Sequence, residues 1–96
     1  MLTLDFIHQK SIVHRDIKLD NILINKREEG DCNVKLADFG MATFAASSNN
    51  GYLYIKCGTP GYVAPEILRS EGYTNKCDIF SAGAVFFNLL TGLYLF

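Results

Sequence analysis

Between Ile79 and Phe96 the chain runs for eighteen residues without a single charge. A stretch this long and this apolar cannot lie on an ordinary protein surface; it must be covered by other chain or by lipid. Ser81, Asn88, Thr91 and two glycines interrupt it, and no basic residue follows to anchor it at a membrane face. The reading favoured is a helix buried in a globular core. The competing reading, a single-pass membrane peptide, predicts detergent-dependent partitioning that resists alkaline extraction.

Ninety-six residues are enough for one small domain and too few for a two-lobed enzyme. A composition 49% hydrophobic and 20% charged is that of a globular chain. The net charge of −1 supplies no field to attract nucleic acid, and no basic stripe, repeat or low-complexity tract is present. Cys32, Cys57 and Cys77 are odd in number and share no metal-ligand spacing, so reduced thiols are expected. Met1 to Asp5 has no basic run followed by an apolar core, so no signal peptide is expected. The expected location is cytoplasmic, with no membrane and no nucleic-acid partner.

Leu2, Leu4, Phe6 and Ile7 form the apolar face of a short helix ending around Gln9 and Lys10. Ile12-Val13 reads as a brief strand entering the loop that starts at His14. Residues 21–25 and 33–37 read as two short strands, with the charged segment from Lys26 to Asp31 as their solvated connection. From Met41 to Lys56 the periodicity is lost, and residues 45–51 read as a mobile loop. Pro65 suits the first turn of a short helix. A longer helix is expected from about residue 75 to 91, ended by Thr91-Gly92.

The residues with chemistry come in three blocks. His14-Arg15-Asp16-Ile17-Lys18-Leu19-Asp20-Asn21 is the first, Asp38-Phe39-Gly40 the second, and Ala64-Pro65-Glu66 the third. Phosphoryl transfer needs an acceptor for the attacking hydroxyl's proton, a cation near the transferring group, metal ligands, and a scaffold that aligns them. Asp16 can be the acceptor, and Lys18 can neutralise charge on the phosphoryl oxygens. Asn21 and Asp38 offer the hard oxygens that magnesium prefers. Facing ends of the two short strands would bring Asn21 and Asp38 together. Taken singly, each block has a plainer reading: a surface loop, a turn, or, for Asp78, a helix cap.

The ordered set resembles the protein-kinase signature, and the resemblance extends over essentially the whole chain. It implies an α+β fold, a partial protein-kinase C-lobe that is mainly α-helical, with short β-hairpins around the catalytic loop and the N-lobe absent. Within residues 1–96 it implies a catalytic loop at 14–21, an activation segment at 38–66 and a central helix at about 75–91. It implies an enzyme using ATP and Mg2+ to phosphorylate proteins. By this resemblance Asp16 is the catalytic-loop aspartate and Lys18 its phosphate-contacting partner, with Asn21 and Asp38 the magnesium ligands. Leu23 would pack under the adenine ring, and Phe39 would stack with His14. Gly58-Thr59-Pro60 would form the ledge beside the acceptor, with Thr59 hydrogen-bonded to both Asp16 and Lys18. Asp78 would hold the catalytic-loop backbone from the central helix. Lys18 and Gly58-Thr59-Pro60-Gly61-Tyr62 resemble the serine/threonine-directed kinases, and the wording from Cys57 to Glu66 the calcium/calmodulin-dependent and calcium-dependent groups. The partners implied are a protein substrate with a Ser or Thr acceptor and a regulatory kinase or calcium-sensor module.

Two departures bear on activity. Ile55 stands where many such kinases carry a phosphorylated Thr or Ser that pairs with the arginine corresponding to Arg15. Tyr52, Tyr54, Ser47 and Ser48 are left as candidates for modification. No Gly-rich nucleotide loop, Val-Ala-x-Lys strand or partner glutamate occurs in the 96 residues. The expectation is therefore that this chain alone binds ATP very weakly. The alternative to an active kinase is an inactive kinase-like fragment serving as a binding or regulatory module. Phe80, Val85, Phe86, Phe87, Leu89, Leu90, Leu93, Leu95 and Phe96 are expected to be incompletely covered. His8 reads as a surface or helix-end residue.

Overall fold

The computed structural model describes residues 2–28, 31–45 and 52–92. Helix α1 spans Leu2–Gln9 and buries Leu4 and Ile7, three residues apart on one face. Strand β1, Ile12–Val13, follows and pairs antiparallel with β4, Thr43–Phe44. A single 3-10 turn over Leu19–Asn21 then feeds β2, Ile22–Glu28, which pairs antiparallel with β3, Asp31–Leu36. Helix α2, Pro65–Leu68, starts on its proline, and α3, Lys76–Thr91, is the longest element.

The β2–β3 hairpin differs from expectation. Lys26 and Glu28 belong to the strand and only residues 29–30, outside the described residues, lie between the two. Strand pairing is a main-chain interaction, so a stretch of charged residues extends the ladder as readily as an apolar one. An irregularity between Lys26 and Glu28 absorbs the register shift. Strand β4 also forms inside a stretch that lacked periodicity, because two residues leave no pattern to detect. Residues 46–51, with Ser47 and Ser48, lie outside the described residues.

Helix α3 lies between two apolar clusters. Its Ala82, Ala84 and Val85 meet Leu4, Ile7, Ile17 and Tyr62. Its Cys77, with Phe80 beside it, meets Val13, Leu53, Ala64, Ile67 and Tyr73. Loop and helix are thus packed on one central rod. The expected buried helix is half right: Phe86, Leu89 and Leu90 are exposed, as anticipated, whereas Val85 is buried by α1. Leu93, Leu95 and Phe96 lie outside the described residues. Among the described residues no helix is long and apolar enough to cross a membrane.

Candidate functional site

The loop after β1 is fixed from below by one carboxylate. Asp78 Oδ2 accepts hydrogen bonds from the His14 amide at 2.8 Å and from His8 Nε2 at 2.9 Å. Its Oδ1 accepts from the Arg15 amide at 2.9 Å and from the Cys77 thiol at 3.9 Å. Asp78 is 0% exposed, so a carboxylate there is tenable only because donors converge on it from three elements. Asp78 is therefore no helix cap: its side chain leaves α3 for the loop. Arg15 has φ 71, a left-handed conformation that costs a side-chain-bearing residue energy, and the carboxylate holds it there.

His14 has a single tautomer. Its Nδ1 accepts from the Asp16 amide at 3.1 Å, so Nε2 carries the proton and donates to the Ala37 carbonyl at 3.0 Å. The ring also meets Phe39 edge-on, with centroids 4.8 Å apart. Residue 14 thereby ties the loop to the residues flanking Asp38. A second tie is the Ala37 amide, which donates to the Asn21 carbonyl at 2.8 Å. These contacts set the end of β3 against the start of β2, as the Ile22–Leu36 pairing requires.

Buried Ile17 separates half-buried Asp16 and Lys18, the alternation of an extended chain. Asp16 is held by two neighbours. Asn21 Nδ2 donates to its carbonyl at 2.8 Å and to Oδ2 at 3.4 Å. Thr59 Oγ1 donates to Oδ1 at 2.7 Å, joining residues 43 apart. Lys18 makes no hydrogen bond to Thr59 among the described residues, so only the Asp16 half of the expected contact is present. Asp38, at φ 55, accepts the Gly40 amide on Oδ1 at 3.2 Å, and Oδ2 accepts no hydrogen bond among the described residues. Asn21 turns its amide nitrogen to Asp16, and among the described residues no hydrogen bond to its amide oxygen is present. An amide oxygen and a carboxylate oxygen on adjoining strand ends suit a hard divalent cation. Leu23 is 53% exposed at the start of β2.

Thr59 is positioned by its neighbours. Gly58 has φ 123, and a Cβ there would lie 3.1 Å from Val63 Cγ2 and 3.4 Å from the Arg15 carbonyl, so the chain passes where only glycine fits. Beside it Lys56, Cys57, Gly58, Pro60, Gly61, Val63 and Leu68 line a cleft of about 430 Å³. Tyr73 hydrogen-bonds the Ile55 carbonyl and accepts from Arg15 Nη1 at 3.3 Å. Burial pushes the Tyr73 hydroxyl up to about 12, so it keeps the proton it donates. Burial, then Asp78, pushes the Cys77 thiol up as well, making it a poor nucleophile.

The structure brings Asp16, Asn21 and Thr59 into direct contact and sets Asp38 one residue from the Asn21–Ala37 link. Sequence reasoning missed His8, whose position four residues after buried Leu4 places it on the inward face of α1. It also missed Tyr73, for which a Gly-Tyr-Thr turn carries no signal.

An acid held by a threonine and an asparagine, an Asp-Phe-Gly turn against a histidine, and a helix aspartate anchoring the loop together define a known class. The whole chain, residues 1–96, matches the protein kinase domain model, and the chain belongs to that family. Its similarity is to the serine/threonine branch. It is 51% identical to serine/threonine-protein kinase zyg-8 of Caenorhabditis elegans, covering 93% of this chain and 11% of that protein. It is 47% identical to serine/threonine-protein kinase DCLK1 of Rattus norvegicus, covering 91% and 19%. Identity to the DNA damage response protein kinase DUN1 of Saccharomyces cerevisiae is 42%, covering 93% and 20%. The chain thus spans about a tenth to a fifth of the length of these curated relatives.

Proposed function

We propose that this chain supplies the acceptor side of ATP-dependent phosphoryl transfer to Ser or Thr hydroxyls of proteins, as part of a kinase C-lobe. The single observation that carries the reading is the 2.7 Å hydrogen bond from Thr59 to Asp16, with Asn21 holding the same residue from the other side. Oδ2 of Asp16, whose hydrogen bond among the described residues is the long contact from Asn21, accepts the proton of the attacking hydroxyl. Lys18, two residues on, neutralises charge on the transferred group. Asn21 and Asp38 hold magnesium, which when bound neutralises charge on the nucleotide's phosphate oxygens. Leu23 offers the base an apolar shelf. The cleft beside Thr59 takes an apolar side chain next to the acceptor residue. A regulatory kinase or a calcium-sensor module acting on such a domain belongs to the same proposal.

The test is transfer from ATP with magnesium to a serine peptide, measured on the full-length protein. D16A is expected to lower kcat by about 10²–10⁴-fold, with its melting transition retained. D38A is expected to abolish magnesium-dependent nucleotide binding while D16A keeps it. Full activity in D16A sinks the proposal. Loss of nucleotide binding in the unsubstituted protein favours the competing reading, an inactive kinase-like module.

A further inference from the structure

One group of hydrogen bonds has no part in the proposed chemistry. The Arg15 side chain reaches the segment between Asp38 and Glu66 directly near its start and, through Tyr73, again at Ile55. Its Nε donates to the Met41 carbonyl at 2.6 Å, and its NH1 donates to the Tyr73 hydroxyl at 3.3 Å. That hydroxyl donates onward to the Ile55 carbonyl and lies 3.8 Å from Cys57 Sγ. Tyr73 is 2% exposed, and its main chain exchanges two hydrogen bonds with Leu53, at 2.8 and 2.9 Å. The adjacent Gly72 admits the Tyr54 ring so closely that a Cβ there would lie 3.0 Å from it. Backbone, hydroxyl and ring all dock residues 53–57 on residues 72–73. The docked stretch runs directly into Gly58 and Thr59, the residue that holds Asp16.

Ile55 takes part through its carbonyl alone. Its side chain is exposed and has no hydroxyl to modify. The tether therefore consists of groups the unmodified chain already has.

We propose that Tyr73 is a positioning residue: its hydroxyl, seated between the Arg15 guanidinium and the Ile55 carbonyl, keeps Thr59 in register with Asp16 without covalent modification of the segment. The hydroxyl uses both of its capacities, accepting from Arg15 and donating to Ile55. Phenylalanine would keep the ring's packing and lose both bonds. Its proton, retained to about pH 12, makes the donor permanent under ordinary conditions. The consequence for turnover rests on the phosphoryl-transfer reading above; the tether itself does not.

Hydrogen exchange of the full-length protein tests the tether without requiring turnover. In Y73F the amides of residues 55–59 are expected to exchange about tenfold faster, with those of α3 changing less than about twofold. I67V thins the same apolar cluster without touching the hydroxyl, and is expected to show no such selectivity. Phosphatase treatment of the unsubstituted protein is expected to leave exchange at residues 55–59 unchanged. Where turnover is measurable, Y73F is expected to raise KM for the peptide about tenfold and leave KM for ATP unchanged. Uniform acceleration across the molecule, no acceleration, or acceleration after phosphatase treatment would each overturn the proposal. If Y73F does not fold, R15K removes the bridging fork and is read in the same way. A protein with no transfer activity at all would remove the phosphoryl-transfer reading and leave the exchange result to judge the tether.

Discussion

The Asp78 carboxylate shows how much one residue can determine. It is buried and receives donors from His8, His14, Arg15 and Cys77. Replacing it by asparagine keeps the shape but offers one acceptor oxygen in place of two, and turns an NH₂ group toward other donors. One buried backbone amide is then left unpaired. D78N is expected to lower stability by about 2 kcal/mol, in line with losing a charge-assisted hydrogen bond to a buried donor. Urea denaturation measures this directly, and a loss below about 0.5 kcal/mol would show that the loop does not depend on this anchor. Asp16, Lys18, Asn21 and Asp38 could be singled out in the sequence as candidates, because phosphoryl chemistry restricts which side chains can serve. Their partners were less legible. Thr59 touches Asp16 but makes no hydrogen bond to Lys18 among the described residues, and nothing local to residue 8 marks it as a partner of residue 78.

Among the elements, α3 was the most legible, since its length, Gly92 stop and apolar content all point one way. Its two glycines have opposite roles. Gly92 sits at φ 73 and its amide donates to the Asn88 carbonyl at 2.8 Å, closing the helix in the left-handed conformation. Gly83 lies in the exposed helix interior, with nothing within 4 Å of an added Cβ. G92A is expected to destabilise by about 1 kcal/mol. G83A is expected to stabilise by about 0.5–1 kcal/mol. Thermal melts of the two variants should move in opposite directions; a shared sign would show that backbone conformation is not the controlling factor. The strands were less legible. The β2–β3 hairpin is longer than its apolar residues suggest, and β1 with β4 is a two-residue pairing fixed by what lies under it rather than by its own sequence.

At the scale of the whole molecule, the described residues cover α3 on one side only. Leu89 is 61% exposed, Leu90 is 85% exposed, and Phe86 is also exposed. An apolar patch of this kind favours association. The 96-residue chain is expected to form concentration-dependent oligomers, and the L89Q/L90Q double variant to shift it toward monomer with stability changed by less than about 1 kcal/mol. Light scattering with a denaturant titration checks both; a monodisperse unsubstituted chain would refute the first. The sequence by itself determined the family and the long helix, and it singled out Asp16, Lys18, Asn21 and Asp38 as the residues proposed for the chemistry. Such features depend on residue type and on spacing along the chain, and both are written locally. Only the tertiary structure decided which atoms of the loop Asp78 holds, that His8 joins it, and that Arg15 and Tyr73 tether the segment before Thr59. Each of those assignments is a hydrogen bond between residues 18 to 70 positions apart. Such a bond depends on where packing brings two side chains together, and no spacing along the chain records it.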